Sequence, residues 1–508
     1  MTRPADRGFV LLLAAYAMAA LLLVSVSARL WWQTPLTLMP HEFDYFLGLF
    51  ASNDEAVAGR WILLGRILHV SGCLIVGLLF LALVKWLLRS PQAMNERGIA
   101  AYAAVLSLIF AFGMPWLSPD VFFYIGTGWV ESHYGLSPYL ASVAQVPGYA
   151  NDEMFSNIFP GFLGGTTSYG PLFQKLAALL AGLSGGSEKL ALALHKTAGL
   201  ALHAASSFVV WRLAPIPFRR VALFSYAANP LICFSILTCA HNDHWMNVFV
   251  LLALLAVTRR YWLLAGLALG ASFGIKYFSL LFAPVFGLAA LVQHQEGGRT
   301  IRNIADAARF TAGFAAAVVL VYLPYPEAVQ AFSNVATSSI SIYRNSVYHF
   351  LTVLTALVLP NVFGLPPFFP SYQNVGRLLS LAYLAPYGIV LLMLLDQMRR
   401  DTMRGCAEAC LAVTVLYFLL VNTSNQEWYL TWLMGLALVL SHHRAHSLAW
   451  QLSVFFLPLV IFTIKSSDMI AFYSNVALYC VLLVLGGLYL ARLWRSQRPK
   501  PEPRPTGS

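Results

Sequence analysis

The chain has 508 residues, of which 59% are hydrophobic and only 10% charged, with a mean hydropathy of +0.69. A soluble domain carries roughly 25% charged residues, so this composition excludes a water-covered globular protein and marks an integral membrane protein. The net charge of +11 calls for no nucleic acid, because the basic residues gather between apolar runs in the manner of the positive-inside bias.

A helix needs about 20 apolar residues to cross the hydrocarbon core. Runs of this kind predict spans at 9–30, 61–84, 98–117, 188–211, 219–239, 277–293, 307–324, 374–395, 405–421, 447–464 and 469–491. Shorter runs at 244–258, 261–274 and 428–441 complete the set. The expected fold class is all-α, a polytopic membrane protein of about 14 transmembrane helices (roughly 12–14). Runs 171–184 and 346–360 are too short and read as interfacial or re-entrant helices. The first run follows Arg3 and Arg7 and ends near Val26-Ser27-Ala28, a pattern shared with signal peptides. Its length favours a retained helix. No polar stretch is long enough for a separate soluble domain, so 1–491 reads as one membrane domain and 492–508 as a basic, proline-rich tail. The six cysteines lie mostly inside apolar runs and read as small buried side chains, not as a disulfide or zinc framework.

Basic clusters orient the chain. They occur at Arg3 and Arg7, at Lys85, Arg89 and Arg97, at Arg212, Arg219 and Arg220, at Arg259 and Arg260, at Arg299 and Arg302, at Arg399, Arg400 and Arg404, at Arg444, and along the tail. With these in the cytoplasm, the spans alternate and both termini are cytoplasmic. Loops 31–60, 118–187, 240–243, 275–276, 325–373, 422–427 and 465–468 are then extracytoplasmic, and nearly every unusual polar cluster falls among them. One working face is expected, on the outer side of a cell inner or plasma membrane.

The clusters come in chain order. Ser118-Pro119-Asp120 follows the third apolar run and leads through Tyr124 to Glu131. A carboxylate at that depth is costly without a task or partner, although Ser118 or Asp120 also suits a helix N-cap with Pro119 in the first turn. Ser168-Tyr169-Gly170-Pro171 opens the short run 171–184, either as a simple helix start or, with Lys175, as a lipid-headgroup contact. His241-Asn242-Asp243-His244 packs four polar residues between apolar runs. It fits a hydrogen-bonded turn, contacts to a sugar, or a divalent-metal site through imidazole and carboxylate. Lys276 either snorkels to the interface or neutralises a phosphate, and Arg344 and Lys465 are weaker candidates for that task. Last comes Asn425-Gln426-Glu427-Trp428-Tyr429, with Trp432 one turn on. Aromatics belong to any interfacial belt, but amides, a carboxylate and ring faces together also suit a sugar.

The order MPWLSPDVFFYIGTGWVESHYGLSPY, SYGPLFQ, NPLICFSILTCAHNDHWMNVFVLLALL, IKYFSLLFAPV, NQEWYLTWLMGLAL, across about residues 110–440, resembles the polyprenol-phosphate-mannose-dependent α-1,6-mannosyltransferases of the GT-C superfamily. The sequence departs from that pattern at Phe122, Phe123 and His244. The resemblance implies a GT-C-type fold and an enzyme that moves a hexose, with mannose expected, from a polyprenyl-phosphate donor. The sugar would pass with inversion to a glycan or glycolipid acceptor on the outer face. It implies Asp120 as catalytic base. Tyr124, Glu131, Tyr169, His241, Asn242, Asp243, Lys276, Arg344, Gln426, Glu427, Trp428 and Tyr429 are the expected substrate contacts. No cofactor is expected beyond the metal alternative above. The expected partners are donor, acceptor and membrane lipid. The rivals are a lipid-sugar flippase or exporter, for which inverted repeats and mid-membrane charges would be needed, and a polymerase or ligase acting on lipid-linked glycans.

Overall fold

A computed structural model of the chain describes residues 7–28, 32, 55–115, 118–293, 300–331, 346–367, 372–422, 424–440, 445–454 and 469–497. All regular structure among them is helical, and no strand is present. The long helices are α1 (Arg7–Ala28), α2 (Glu55–Arg89), α3 (Glu96–Phe112), α4 (Asp120–Ser132), α5 (Pro171–Leu183), α6 (Glu188–Leu213) and α7 (Arg219–Ala227). After them come α8 (Asp243–Thr258), α9 (Trp262–Phe273), α10 (Ala283–Val292), α11 (Thr300–Tyr322) and α12 (Val347–Val353). The chain closes with α13 (Tyr372–Arg400), α14 (Thr402–Leu420), α15 (Thr431–Leu438) and α16 (Met469–Gln497). The last helix runs six residues into the expected tail.

Among the described residues seven helices are long and apolar enough by themselves to cross a bilayer. They lie at 7–25, 67–89, 216–238, 301–322, 377–400, 402–420 and 476–497. Most of the other expected spans are helical too, but shorter or more polar. Helix α8 has 16 residues and α9 has 12. At 1.5 Å per residue these fall short of a hydrocarbon core about 30 Å thick, so both must be shielded by their neighbours over part of their length. Helix α6 has 26 residues but buries His195, Lys196, His203, Ser206 and Ser207.

Two segments differ from the sequence reading, each for a local reason. The run 219–239 is not one straight helix. Pro230 has no N–H to give the preceding turn, and α7 ends at Ala227. The Asn229 side chain then accepts from Leu231 N and Ile232 N to restart the chain, which passes into a π-helical turn at Cys233–Thr238. The segment 120–132, placed in the outer loop 118–187 with a helix start at Ser118–Asp120 as one alternative, is helix α4. Its Gly126, Thr127 and Gly128 are poor helix formers, but every residue from Val121 to Val130 is buried, so packing overrides propensity.

Close approach of backbones organises the bundle around the polar end. Helix α9 packs along α11, where a Cβ on Gly266 would lie 2.1 Å from Phe310 O and one on Gly313 would lie 2.2 Å from Leu263 O. Small residues of this kind replace hydrophobic drive between membrane helices. At the start of α5, Gly170 N donates to Ile275 O at 3.0 Å and Leu172 N donates to Gly274 O at 2.9 Å. This backbone docking joins the Tyr169 segment to the turn that carries Lys276.

Candidate active site

Asp120 is the first residue of α4 and Asp243 the first of α8. Both carboxylates therefore sit at helix N-termini, whose partial positive charge favours them. The capping alternative for the first motif does not hold. Pro119 occupies the cap position and no side chain caps α4.

The π turn and the residue after it aim the HND motif. His241 N donates to Ser235 O at 3.2 Å, six residues back. Ala240 takes φ +56°, a left-handed conformation disfavoured for any residue with a Cβ. π turns and such strained residues recur at functional sites. The turn places His241 Nδ1 at 3.7 Å from Asp120 Oδ2 and stacks the imidazole on Trp428, with ring centroids 3.9 Å apart and 20° between planes. Burial pushes the His241 pKa well below the usual imidazole range, and the positive charge of Lys276 adds to this. The ring is therefore neutral, and 3.7 Å is too long for a hydrogen bond. Neither ring nitrogen has a hydrogen-bond partner.

Asp243 has a different environment. Its side chain is fully enclosed, and Oδ1 accepts from Lys276 Nζ at 2.7 Å and from Trp432 Nε1 at 2.6 Å. Oδ2 is buried without a hydrogen-bond partner. The Lys276 ammonium lies 5.0 Å from the Tyr429 ring centroid, 5.7 Å from Trp432 and 5.9 Å from Tyr169. Three aromatic faces thus hold a cation that keeps further N–H donors beyond the one given to Asp243. Tyr124 meets Tyr169 edge-on at 5.0 Å. Burial pushes the Tyr169 phenol up, and the Asp120 carboxylate adds to this, so the hydroxyl stays protonated. Asn242 precedes Asp243, with both amide atoms buried and unpartnered.

Asp120, Tyr124, Tyr169, His241, Asn242, Asp243, Lys276, Trp428 and Tyr429 therefore converge from five separated motifs. Gln426 and Glu427 are buried close by in sequence, Gln426 donating to Ser424 Oγ at 2.6 Å and leaving Oε1 unpartnered. Glu131 does not join them. Eleven residues of helix carry it about 16 Å along α4 from Asp120, where it accepts from Lys175 Nζ at 2.9 Å and from the Tyr325 hydroxyl. That pairing also takes Lys175 away from the headgroup role. Arg344 and Lys465 lie outside the described residues.

His241 and His244 do not face one another as metal ligands would. His244 packs against His203 and Tyr226, with ring centroids 5.5 and 6.2 Å away. No group of three or more metal-ligating residues gathers among the described residues. Trp432 was visible as an aromatic in the last motif, but nothing in the sequence paired it with Asp243. Lys196, inside an apolar run, gave no signal at all.

Residues 46–292 match the family model of the alpha-(1->6)-mannopyranosyltransferase N-terminal domain. The matched stretch holds Asp120, Tyr169, the HND motif and Lys276, and it ends before Gln426 to Trp432. This family is the one that the motif order resembles. No curated protein matches the chain.

Proposed function

We propose, for a membrane chain whose residues 46–292 carry the N-terminal domain of a mannosyltransferase family, that it moves a mannosyl residue from a polyprenyl-phosphate donor to a hydroxyl of a glycan or glycolipid, with inversion. The observation that carries this reading is the division of labour between two carboxylates. The Asp120 side chain, beside His241, is 20% exposed, whereas Asp243 is fully enclosed and bound to Lys276. One carboxylate is open to an incoming hydroxyl, and the other holds a cation.

In this reading Asp120 takes the proton of the acceptor hydroxyl, and a carboxylate poised at a helix start suits that task. The acceptor oxygen forms its bond to the anomeric carbon as the bond from that carbon to the phosphate oxygen breaks. The electron pair leaves with the lipid phosphate. Lys276 stabilises that developing charge with its remaining N–H donors, oriented in advance by Asp243 and the aromatic faces. Neutral His241 and the Asn242 amide supply donors and acceptors to sugar hydroxyls, and the Tyr169 hydroxyl stays protonated as a further donor. The lipid tail of the donor stays in the bilayer, so the site is expected at one end of the bundle, and the distribution of basic loops makes that the extracytoplasmic end.

Proteoliposomes given radiolabelled polyprenyl-phosphate mannose test the function. Label appearing in a glycan acceptor supports the transferase. Label that leaves one leaflet without transfer would identify a flippase instead. Transfer of preassembled oligosaccharide, with no use of the monosaccharide donor, would identify a polymerase or ligase.

A further inference from the structure

One buried charge takes no part in the chemistry above. Lys196 lies in the middle of α6 and is 3% exposed. Its ammonium donates to Gly113 O at 2.6 Å, Leu237 O at 2.8 Å and Thr238 O at 2.7 Å. An ammonium has three donors, so all are used and none remains for substrate. A charge in this setting is expensive unless it has partners, and here the partners are backbone carbonyls at two helix ends. Gly113 caps the C-terminus of α3, and Leu237 and Thr238 close the π turn. Carbonyls at helix C-termini are left without intrahelical donors and carry the negative end of the macrodipole. A single cation thus satisfies both ends at once.

The two ends lie a few residues before the groups of the chemistry. Asp120 follows Gly113 by seven residues and His241 follows Thr238 by three. The ends also touch each other. Thr238 Oγ1 donates to Phe110 O at 2.8 Å, and a Cβ on Gly113 would lie 2.9 Å from Thr238 Cγ2. Two residues after Thr238 the chain takes the left-handed conformation at Ala240, which persists only where the surroundings hold it. Lys196 anchors the backbone on the near side of that strained residue.

We infer that Lys196 is a positioning residue: its ammonium pins the end of α3 to the π turn and thereby sets the approach of His241 to Asp120. It touches neither donor nor acceptor. This rests on the reading of Asp120 and His241 as site residues. A lysine that served only to hold the bundle together would make a different set of contacts matter, and the two roles separate experimentally.

The test is a double-mutant cycle of Lys196→Met with His241→Ala in the full-length protein in proteoliposomes, with turnover and donor binding of the folded fraction both measured. Methionine keeps the apolar stem and removes all three donors. The expected result for Lys196→Met is a fall in kcat of about 10²-fold, the scale of a misplaced catalytic geometry, with donor affinity falling no further than in His241→Ala. The double variant should be no slower than the slower single variant, because Lys196 acts through the turn that carries His241. Unchanged kcat, additive losses, or a loss of donor binding larger than that of His241→Ala would each overturn the positioning role. Should Lys196→Met not fold, Lys196→Gln, which keeps an amide donor, takes its place in the same cycle. Turnover by Asp120→Asn is read separately. If that variant stays active, the assignment of the base fails while the coupling of Lys196 to His241 is still decided by the cycle.

Discussion

Asp120 and Asp243 are chemically identical groups made unlike by their neighbours. Asp243 Oδ1 is held by Lys276 and Trp432, so its charge already has partners. Asp120 keeps the exposure that a base needs. Asp120→Asn preserves size and hydrogen bonding but removes basicity. It should retain donor binding and lose about 10²–10⁴ in kcat, measured as mannosyl transfer in vesicles. Appreciable turnover by Asp120→Asn beside a dead Asp243→Asn would transfer the role to Asp243. Lys276→Met should weaken the donor and leave the acceptor requirement largely alone, and it should also strand the Asp243 carboxylate in a buried site. A companion Asp243→Asn/Lys276→Met variant separates the two effects, since leaving a buried charge unpaired costs about 3–5 kcal/mol. If the double variant folds well yet binds donor as tightly as wild type, Lys276 is not the phosphate cation. The residues proposed for these roles stood out in the sequence as polar residues where polar residues do not belong. What the sequence could not supply was pairing, since nothing in the spacing of Asp243, Lys276 and Trp432 joins them.

Among elements, the most informative junction is the backbone docking of Gly170 on Gly274 and Ile275. A Cβ on Gly170 would lie 2.3 Å from Gly274 O, so no side chain fits without moving one strand of the junction. Gly170→Ala should cost about 1–3 kcal/mol through overpacking and move Tyr169 away from Lys276. The expected signature is a lowered melting temperature in detergent together with weakened donor binding. A variant that loses stability but binds donor normally would show that the junction supports the fold and not the site. Element positions were largely readable from apolar runs, whereas α4 was not. Its glycines and threonine argue against helix, and the burial supplied by α5, α6 and the turns at 143–145 and 153–155 reverses that preference. The same helix explains the misplacement of Glu131. Read as loop, the motif allowed Glu131 to fold back on Asp120. As a helix, it holds the two apart.

At the scale of the whole molecule, the expected orientation rests on the distribution of basic residues alone and is open to a direct test. Ala150 is exposed in the 118–187 region, and the six native cysteines are all buried or half-buried, so background labelling is low. Ala150→Cys should react with a membrane-impermeant maleimide added to intact cells. Reaction only after the cytoplasmic side is opened would invert the topology and with it the side on which the donor is met.

The segment 216–238, which ends in the turn before His241, is apolar enough to span a bilayer, yet every residue of its most apolar stretch is buried in protein. By contrast, only 17% of the corresponding stretch of 377–400 is buried. Lipid therefore meets a sleeve of peripheral helices, while the floor under the reacting groups is solvated by protein alone. Helices that face lipid tilt or stretch when bilayer thickness departs from their length, but a helix without lipid neighbours has no such mismatch to relieve. Turnover of a water-soluble acceptor should accordingly change little between vesicles of short-chain and long-chain lipids, even where the thermal stability of the same preparations shifts. A steep dependence of kcat on acyl length would mean that the sleeve and the floor move together.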